Sequence, residues 1–412
     1  MASVNVVGFD EALALVAARA AKVHAGATEA LPLLQCSGRV LAEDVKADRD
    51  QPPFDRSTRD GFAVLAGELL PGGSLRVIGQ IRAGQKWLGD PLKAGSAIQI
   101  MTGAPMPEGA DAVVMVEHVE RDGDVIGLSD GRSLDAGENV VPRGSEARVG
   151  SVVIPSGTVM EAAEIALAAA CGCASLRVFR RPSVAIVATG HELLEVNEVP
   201  NEQQIRNSNS YGLAALVAKA GGEALRLPIA PDRREELEQI ILRARASDLL
   251  LLSGGVSMGE YDLVEEVLLS LGAEFFFTGV KMQPGKPVVF GQLPERGGFP
   301  ARFFFGLPGN PVSTQVTFHC FVEPLLRALS GEGLQGPRFV QATLTEEVAG
   351  KPGLMRVLPA RLTADRVQST VKLVGWQGSG DLAANARANC YAVLPPERER
   401  FLAGEVITIL LR

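Results

Sequence analysis

Two junctions in this sequence combine glycines, small hydroxyls and the start of a helical pattern, a combination suited to holding an oxyanion. In the first, the apolar run Leu249-Leu250-Leu251-Leu252 ends in Ser253-Gly254-Gly255-Val256-Ser257-Met258-Gly259-Glu260-Tyr261-Asp262. Glycine lets backbone N–H groups approach a ligand closely, and a helix start offers unpaired N–H groups and the positive end of its dipole. The second, Phe303-Phe304-Phe305-Gly306-Leu307-Pro308-Gly309-Asn310-Pro311, runs from an apolar strand to a helix start, with Asn310 suited to the N-cap and Pro311 to the first helical position. One Gly-rich loop reads equally well as a tight turn. Two in one segment, with Lys281-Met282-Gln283-Pro284-Gly285-Lys286-Pro287 between them, point to a small-molecule site that takes a phosphate.

Charged residues near these junctions could complete such a site. Asp232 with Glu235, and Asp262 with Glu265, have the D-x-x-E spacing of a helix N-cap and its capping partner. At a strand-end crevice the same two aspartates could give Mg²⁺ hard oxygen ligands, since that ion commonly uses one or two carboxylates plus substrate phosphates. Lys286 sits between Gly285 and Pro287, a stiff setting that favours anion binding over mere solubility. Pro52-Pro53-Phe54-Asp55-Arg56-Ser57-Thr58-Arg59-Asp60-Gly61-Phe62-Ala63 is too polar for a core strand and too rigid for a linker, so it reads as an ordered functional loop. Thr102-Gly103-Ala104-Pro105 forms a second such loop, which ordinary β-turns explain nearly as well.

These residues need a scaffold, and 412 residues exceed one ordinary core. The expected class is α/β multidomain. Residues 1–45 with 149–180 read as an elongated helical linker domain, with helices over residues 9–24 and from Met160 to Ala170. Residues 46–148, with β-type runs such as Ser74–Gly79 and Asp111–Val116, read as an inserted, mostly-β module. Residues 181–331 alternate strand and helix: strands at 184–188, 224–229 and 248–252, helices at 211–220, 232–246 and 262–271. That rhythm predicts a doubly wound parallel sheet with ligands at its C-terminal strand ends. The helix from Pro311 meets Pro324, which should kink or end it. Residues 332–412 read as a small C-terminal β-barrel or sandwich.

Composition narrows the function further. A formal charge of −8 gives no support to nucleic-acid binding, and no run is long enough to span a bilayer, so the cytoplasm is the expected location. Five scattered cysteines fit reduced thiols, and Cys171-Gly172-Cys173 reads as helix-end packing rather than half a metal site.

Taken together, these motifs resemble the molybdopterin molybdenumtransferase family, which includes bacterial MoeA and the C-terminal E domain of gephyrin. The resemblance covers essentially the whole chain. It rests on Pro53-Phe54-Asp55 through Asp60-Gly61-Phe62-Ala63, Met101-Thr102-Gly103-Ala104-Pro105, Gly137-Glu138-Asn139, Ala188-Thr189-Gly190-His191-Glu192-Leu193, Asn207-Ser208-Asn209, Ser253-Gly254-Gly255-Val256-Ser257, Pro284-Gly285-Lys286-Pro287, Leu307 through Ser313, and Gly378-Ser379-Gly380. It implies an elongated four-domain subunit, a homodimer, and insertion of molybdate into adenylylated molybdopterin with release of AMP, using Mg²⁺. A molybdopterin adenylyltransferase is the partner implied. By the same resemblance Asp60, Thr102, Glu192 and Lys286 are the catalytic candidates, with Asp60 and Thr102 on the β module facing the other subunit's α/β domain. Ser253, Gly254, Gly255, Ser257, Gly309, Asn310, Ser313 and Ser379 would bind substrate, and Asp232 and Asp262 the metal, while Lys286, Ser313 and Ser379 face the oxyanion.

The chain departs from the family pattern at three places. His191 stands where Asp usually precedes the Glu, Gln283 where Lys usually precedes Pro-Gly-Lys, and Gly353-Leu354-Met355-Arg356-Val357 where an arginine-bearing Gly-Arg-Arg-Glu-Phe pattern is usual. Neutral glutamine cannot replace a lysine's charge beside a dianion; Lys281 and Arg356 are the nearby cations that could. These departures motivate an alternative, a catalytically weakened homologue acting as a dimeric binding or scaffold protein. A pterin- or nucleotide-binding hydrolase is a third reading, which leaves the β module and terminal barrel unexplained.

Overall fold

A computed structural model describes residues 5–255 and 263–412. Its centre is a six-stranded sheet in the order Glu223–Arg226, Ser183–Ala188, Leu249–Ser253, Arg302–Leu307, Val289–Leu293, Glu274–Phe277. The first four strands run parallel, as the alternating sequence rhythm predicts. Val289–Leu293 runs antiparallel to its neighbours, which corrects the expectation of a wholly parallel sheet. The reason is connectivity. Only Gly-rich loop lies between Leu293 and Arg302, too little for the helical crossover that a parallel pair requires.

The central strands are buried on both faces, so their side chains sort by parity. Val184, Ile186, Leu249, Leu251 and Phe305 enter one core with Leu213 and Val217 of the helix Ser208–Lys219. Ala185, Val187, Leu250, Leu252 and Phe304 enter the other with Leu237 and Ile241 of Arg234–Ala244 and Val264 and Val267 of Leu263–Ser270. Helices on both faces make the unit doubly wound. The helix from Pro311 ends at Thr317, passes through a π turn at Phe318–Val322, and resumes as Glu323–Leu329 with Pro324 in its first turn. Proline is tolerated there because its missing N–H would have no partner at a helix start.

The N-terminal helix Phe9–Ala20 buries Phe9, Ala12, Val16 and Ala20 in the same core as Phe321 and Leu325, with the Phe9 and Phe321 rings 5.9 Å apart. It therefore packs on the α/β unit. The second helix is Ala162–Ala170, starting two residues later than expected because Glu161 caps it together with Glu164. Strands accompany these helices. Thr28–Pro32 pairs with Ser175–Phe179, and Val45–Lys46 with Val152–Ile154, around a core of Cys36, Leu41, Ile154, Met160, Cys171 and Val178. Cys171 packs there and accepts a hydrogen bond from Gln51 Nε2 at 3.2 Å.

Between them stands a second six-stranded sheet, Ala112–Met115, Gly61–Val64, Ser96–Ile100, Ser74–Ile81, Val125–Leu128 and Val119–Asp122, antiparallel except where Ser74–Ile81 meets Ser96–Ile100. The C-terminal region is a closed five-stranded barrel. Met355–Ala364 pairs with Ser369–Leu373 and Cys390–Leu394, and Phe339–Leu344 and Val406–Leu411 complete the ring. Closure decides between the barrel and sandwich expectations. Met282–Gln283 pairs with Met355–Arg356 and joins the barrel to the α/β unit. No helix among the described residues is long and apolar enough to cross a membrane.

Candidate functional site

Three parallel strands end together at Ala188, Ser253 and Leu307, and the loops leaving them wall a cavity of about 880 Å³. The strand order reverses here, with the chain's first and third strands of the unit side by side, which is where open α/β sheets bind ligands. The wall includes Thr189, Gly190, Glu192, Ser253, Gly254, Gly255, Asp232, Gly309 and Asn310. Seven of the residues marked out in the sequence thus meet in one cavity.

Glycine is required in the Ser253 loop. Gly254 has φ +89°, and a Cβ there would stand 2.4 Å from the Thr189 carbonyl oxygen; at Gly255, φ +61°, it would stand 2.6 Å from Thr189 Oγ1. The loops are tied together by Asn209, whose Nδ2 donates to Ser253 Oγ at 3.0 Å and to the Gly309 carbonyl at 2.7 Å. Asn209 lies in the first turn of Ser208–Lys219, which Asn207 caps by accepting from Ser210 N at 3.1 Å. Thr189 Oγ1, buried beneath the loop, makes no hydrogen bond.

Two carboxylates and a cation stand on this wall. Glu192 folds back over Gly190, where a Cβ would meet its Oε2 at 2.6 Å. Asp232 is not the helix cap expected from its spacing. The helix starts at Arg234 with Arg233 in the cap position, and the Asp232 carboxylate turns to His191 Nε2 at 3.2 Å. His191 thus engages, from another loop, the aspartate whose spacing suggested a helix cap. Arg206 brings a guanidinium, its Nε donating to the Glu198 carbonyl at 3.1 Å. Sequence reasoning assigned no role to Arg206 or Asn209; the cap pattern Asn207-x-x-Ser210 was the available signal for a helix opening on the cavity.

Asn310, on the wall, occupies the N-cap position before Pro311, but its side chain makes no capping bond, so its amide is free for a ligand. Other candidates lie off the wall. Lys286 is exposed and Ser313 buried; for Lys286 and Ser379 it is the neighbours Pro287 and Gly380 that reach the wall. Gln283 is half-buried beside Arg356 in the ladder. Burial pulls the Arg356 guanidinium down from its ordinary value, and its Nη1 donates to the Ala349 carbonyl at 2.5 Å. Ser257 and Asp262 lie outside the described residues, as does the Asp262 capping position.

Asp60 and Thr102 form a separate arrangement on the β module. Asp60 Oδ1 accepts from Thr102 N at 2.7 Å and from Thr102 Oγ1 at 2.8 Å. These bonds, the backbone one foremost, hold its carboxyl below the usual carboxylate range although it is exposed. Neither residue lines the 880 Å³ cavity of its own chain. Gly61, next in the chain, lies so close to the neighbouring strand that a Cβ would fall 1.9 Å from the Val114 carbonyl oxygen. That approach fixes the backbone from which Asp60 projects.

The fold and cavity define a multidomain α/β protein with a glycine-walled cavity at the strand ends of its parallel sheet. Three family descriptions match consecutive parts of it: the MoeA N-terminal region (domains I and II) at residues 7–172, a probable molybdopterin-binding domain at 185–328, and the MoeA C-terminal region (domain IV) at 341–411. The molybdopterin molybdenumtransferase of Nostoc sp. is 36% identical over 395 residues, covering 93% of this chain and 88% of the relative. That of Haemophilus influenzae is 34% identical, covering 93% of each. A crystal structure of the molybdopterin biosynthesis moeA protein from Pyrococcus horikoshii OT3 superposes with a TM-score of 0.79 at 29% identity, over 99% of this chain and 100% of that one. The chain belongs to the molybdopterin molybdenumtransferase (MoeA) family.

Proposed function

We propose that this protein is a transferase of molybdenum cofactor biosynthesis that inserts molybdate into adenylylated molybdopterin and releases AMP and Mo-molybdopterin. The observation that carries the reading is the strand-end cavity, where glycine backbone, Arg206, Asn209 and two carboxylates surround space for a diphosphate. Its relatives carry the transferase name over most of their length, and nothing in the site favours the scaffold alternative. In this reading Ser253, Gly254, Gly255, Gly309 and Asn310 hold the phosphates, with Ser257 joining them by its place in the family motif. Lys286, Ser313 and Ser379 meet the oxyanion at the adjoining edge. A dianionic molybdate and a diphosphate share one site only where cations and N–H dipoles offset their repulsion.

The wall also suits Mg²⁺. Glu192 and Asp232 supply two hard oxygen donors beside the phosphate space, a set typical of this ion, with Asp262 the third candidate from its motif. When bound, Mg²⁺ would neutralise charge building on the phosphates. Asp60 and Thr102 act at the reacting centre of a second subunit in a cytoplasmic homodimer supplied by a molybdopterin adenylyltransferase. The chain divides for this purpose into 1–45 with 149–180, 46–148, 181–331 and 332–412. The reading is tested by measuring AMP released from adenylylated molybdopterin with and without molybdate and Mg²⁺. Dependence on both is expected; tight substrate binding with no AMP above background overturns it.

A further inference from the structure

A second cavity, of about 440 Å³, opens on the seam between the N-terminal segment and the α/β unit. One side comes from Gly38–Val40 and Phe179–Arg181, the other from Lys219–Gly221 and the end of the helix Glu323–Leu329. Its charge runs against that of the chain. Arg39, Arg180, Arg181, Lys219, Arg327 and Arg338 line it against three carboxylates, in a protein whose formal charge is −8.

Two of the three carboxylates are already engaged. Glu323 Oε2 is 2.7 Å from His319 Nδ1 and its Oε1 is 3.6 Å from Arg338; burial opposes its ionisation, and His319 with the arginines still holds it below its ordinary range. Glu332 takes Arg327 through two hydrogen bonds. Glu161 enters the cap of Ala162–Ala170 only through its backbone N–H, which donates to Glu164 Oε2 at 3.0 Å, so its carboxylate is the one on this wall without a partner among the described residues. Among the cations, Arg39 has a side chain only 10% exposed, pinned by Glu29 and by the Phe179 carbonyl. Arg181 and Lys219 form no ion pair with any described residue. Arg180 is paired as well, 3.6 Å from Asp248, so Arg181 and Lys219 are the two cations of this cavity whose charge is left for an anion to meet.

We propose that this seam cavity binds a phosphate-bearing small molecule at a site separate from the strand-end cavity. Arg181 supplies a planar fork matched to phosphate oxygens and Lys219 a mobile point charge, beside an Arg39 held rigidly by Glu29 and the Phe179 carbonyl. The volume lies within the range of small-ligand pockets. Because its walls belong to two parts of the chain, the bound anion ties the N-terminal segment to the α/β unit and raises Tm by mass action.

Inorganic pyrophosphate is the probe, titrated calorimetrically into the full chain at fixed ionic strength. Wild type is compared with the double variant Arg181→Gln/Lys219→Gln and with Arg206→Gln, which alters the strand-end cavity. Wild type and Arg206→Gln should share a binding event that the double variant weakens by about tenfold or more, and pyrophosphate should raise Tm less in the double variant than in the other two. Neither replaced side chain has a partner to lose, so the unliganded Tm and far-UV circular dichroism should match wild type. If the double variant does not fold, Lys219→Gln alone, at an exposed position, carries the same comparison with an expected loss of about threefold or more. Wild-type affinity and stoichiometry in the folded variant, or a wild type whose only pyrophosphate site is the one removed by Arg206→Gln, overturns the proposal.

Discussion

The Asp60–Thr102 pair and the strand-end cavity handle polarity in opposite ways. Asp60 takes both Thr102 donors within its own module and needs nothing further to stay charged. The strand-end cavity leaves polar groups unengaged: Thr189 Oγ1 has no partner and Asn310 makes no capping bond. Under the proposed function, a preformed anion on one module and spare donors on another are the complementary halves of a reaction site. The first is fixed before substrate arrives, and the second is completed by the substrate's own oxygens.

The largest effect should come from filling the glycine wall. Gly254→Val places a β-branched side chain at φ +89° and within 2.4 Å of a backbone oxygen, which no rotamer relieves. Strain of this kind costs on the order of 1–3 kcal/mol, so molybdate-dependent AMP release should vanish and the denaturant midpoint should fall. A variant with wild-type activity would show that this backbone does not hold the phosphates.

Asp60→Ala comes next. It should lower turnover by about 10²–10⁴-fold with Tm nearly unchanged, because the side chain is exposed. A large fall in Tm with turnover per folded molecule intact would make Asp60 structural and end the contrast. Thr102→Val sharpens the point. Both Thr102 donors favour the charged carboxylate, so losing the hydroxyl should move the Asp60 pKa up toward the usual value of about 4, read by NMR titration of the carboxyl carbon. Because the folded-state value is depressed, the linked stability is fully present above the unfolded value. It is lost as pH falls through the folded one, and less of it should remain in Thr102→Val.

Gln283→Lys tests whether the cavity's edge lacks a cation. It should tighten molybdate binding by about tenfold, or roughly 1.4 kcal/mol, with less change in affinity for the adenylylated pterin; unchanged molybdate affinity would show that position 283 does not meet the oxyanion. The smallest effect belongs to His191→Ala. The His191–Asp232 pair has side chains 72% and 39% exposed, and such pairs contribute about 0–1 kcal/mol. A stability loss well beyond that would mean the pair organises the wall.

Local pattern was enough to foresee much of this. The run Leu249–Leu252 is apolar at every position because both sheet faces are covered, and its glycines end at the cavity as their chemistry requires. The reversed strand Val289–Leu293 escaped because strand direction depends on connectivity rather than on composition. The D-x-x-E spacing suggests a cap at Asp232, beside its reading as a Mg²⁺ ligand, because spacing says nothing about His191, which reaches it from another loop. Asn209 stands in a recognised motif, but its tie between the loops escaped for the same reason: its two acceptors lie 44 and 100 residues away in sequence.

The closed barrel also governs how the protein meets its own kind. A ring of five strands offers no unpaired edge on which another chain could add a strand. The central α/β sheet does end in two edges. One, Glu223–Arg226, is four residues long and carries charge at both ends; the other, Glu274–Phe277, is broken by a register shift between Phe275 and Phe277. Short, charged or bulged edges resist sheet-to-sheet growth. The barrel and the α/β sheet thus offer a second copy of the chain little edge on which to extend either sheet.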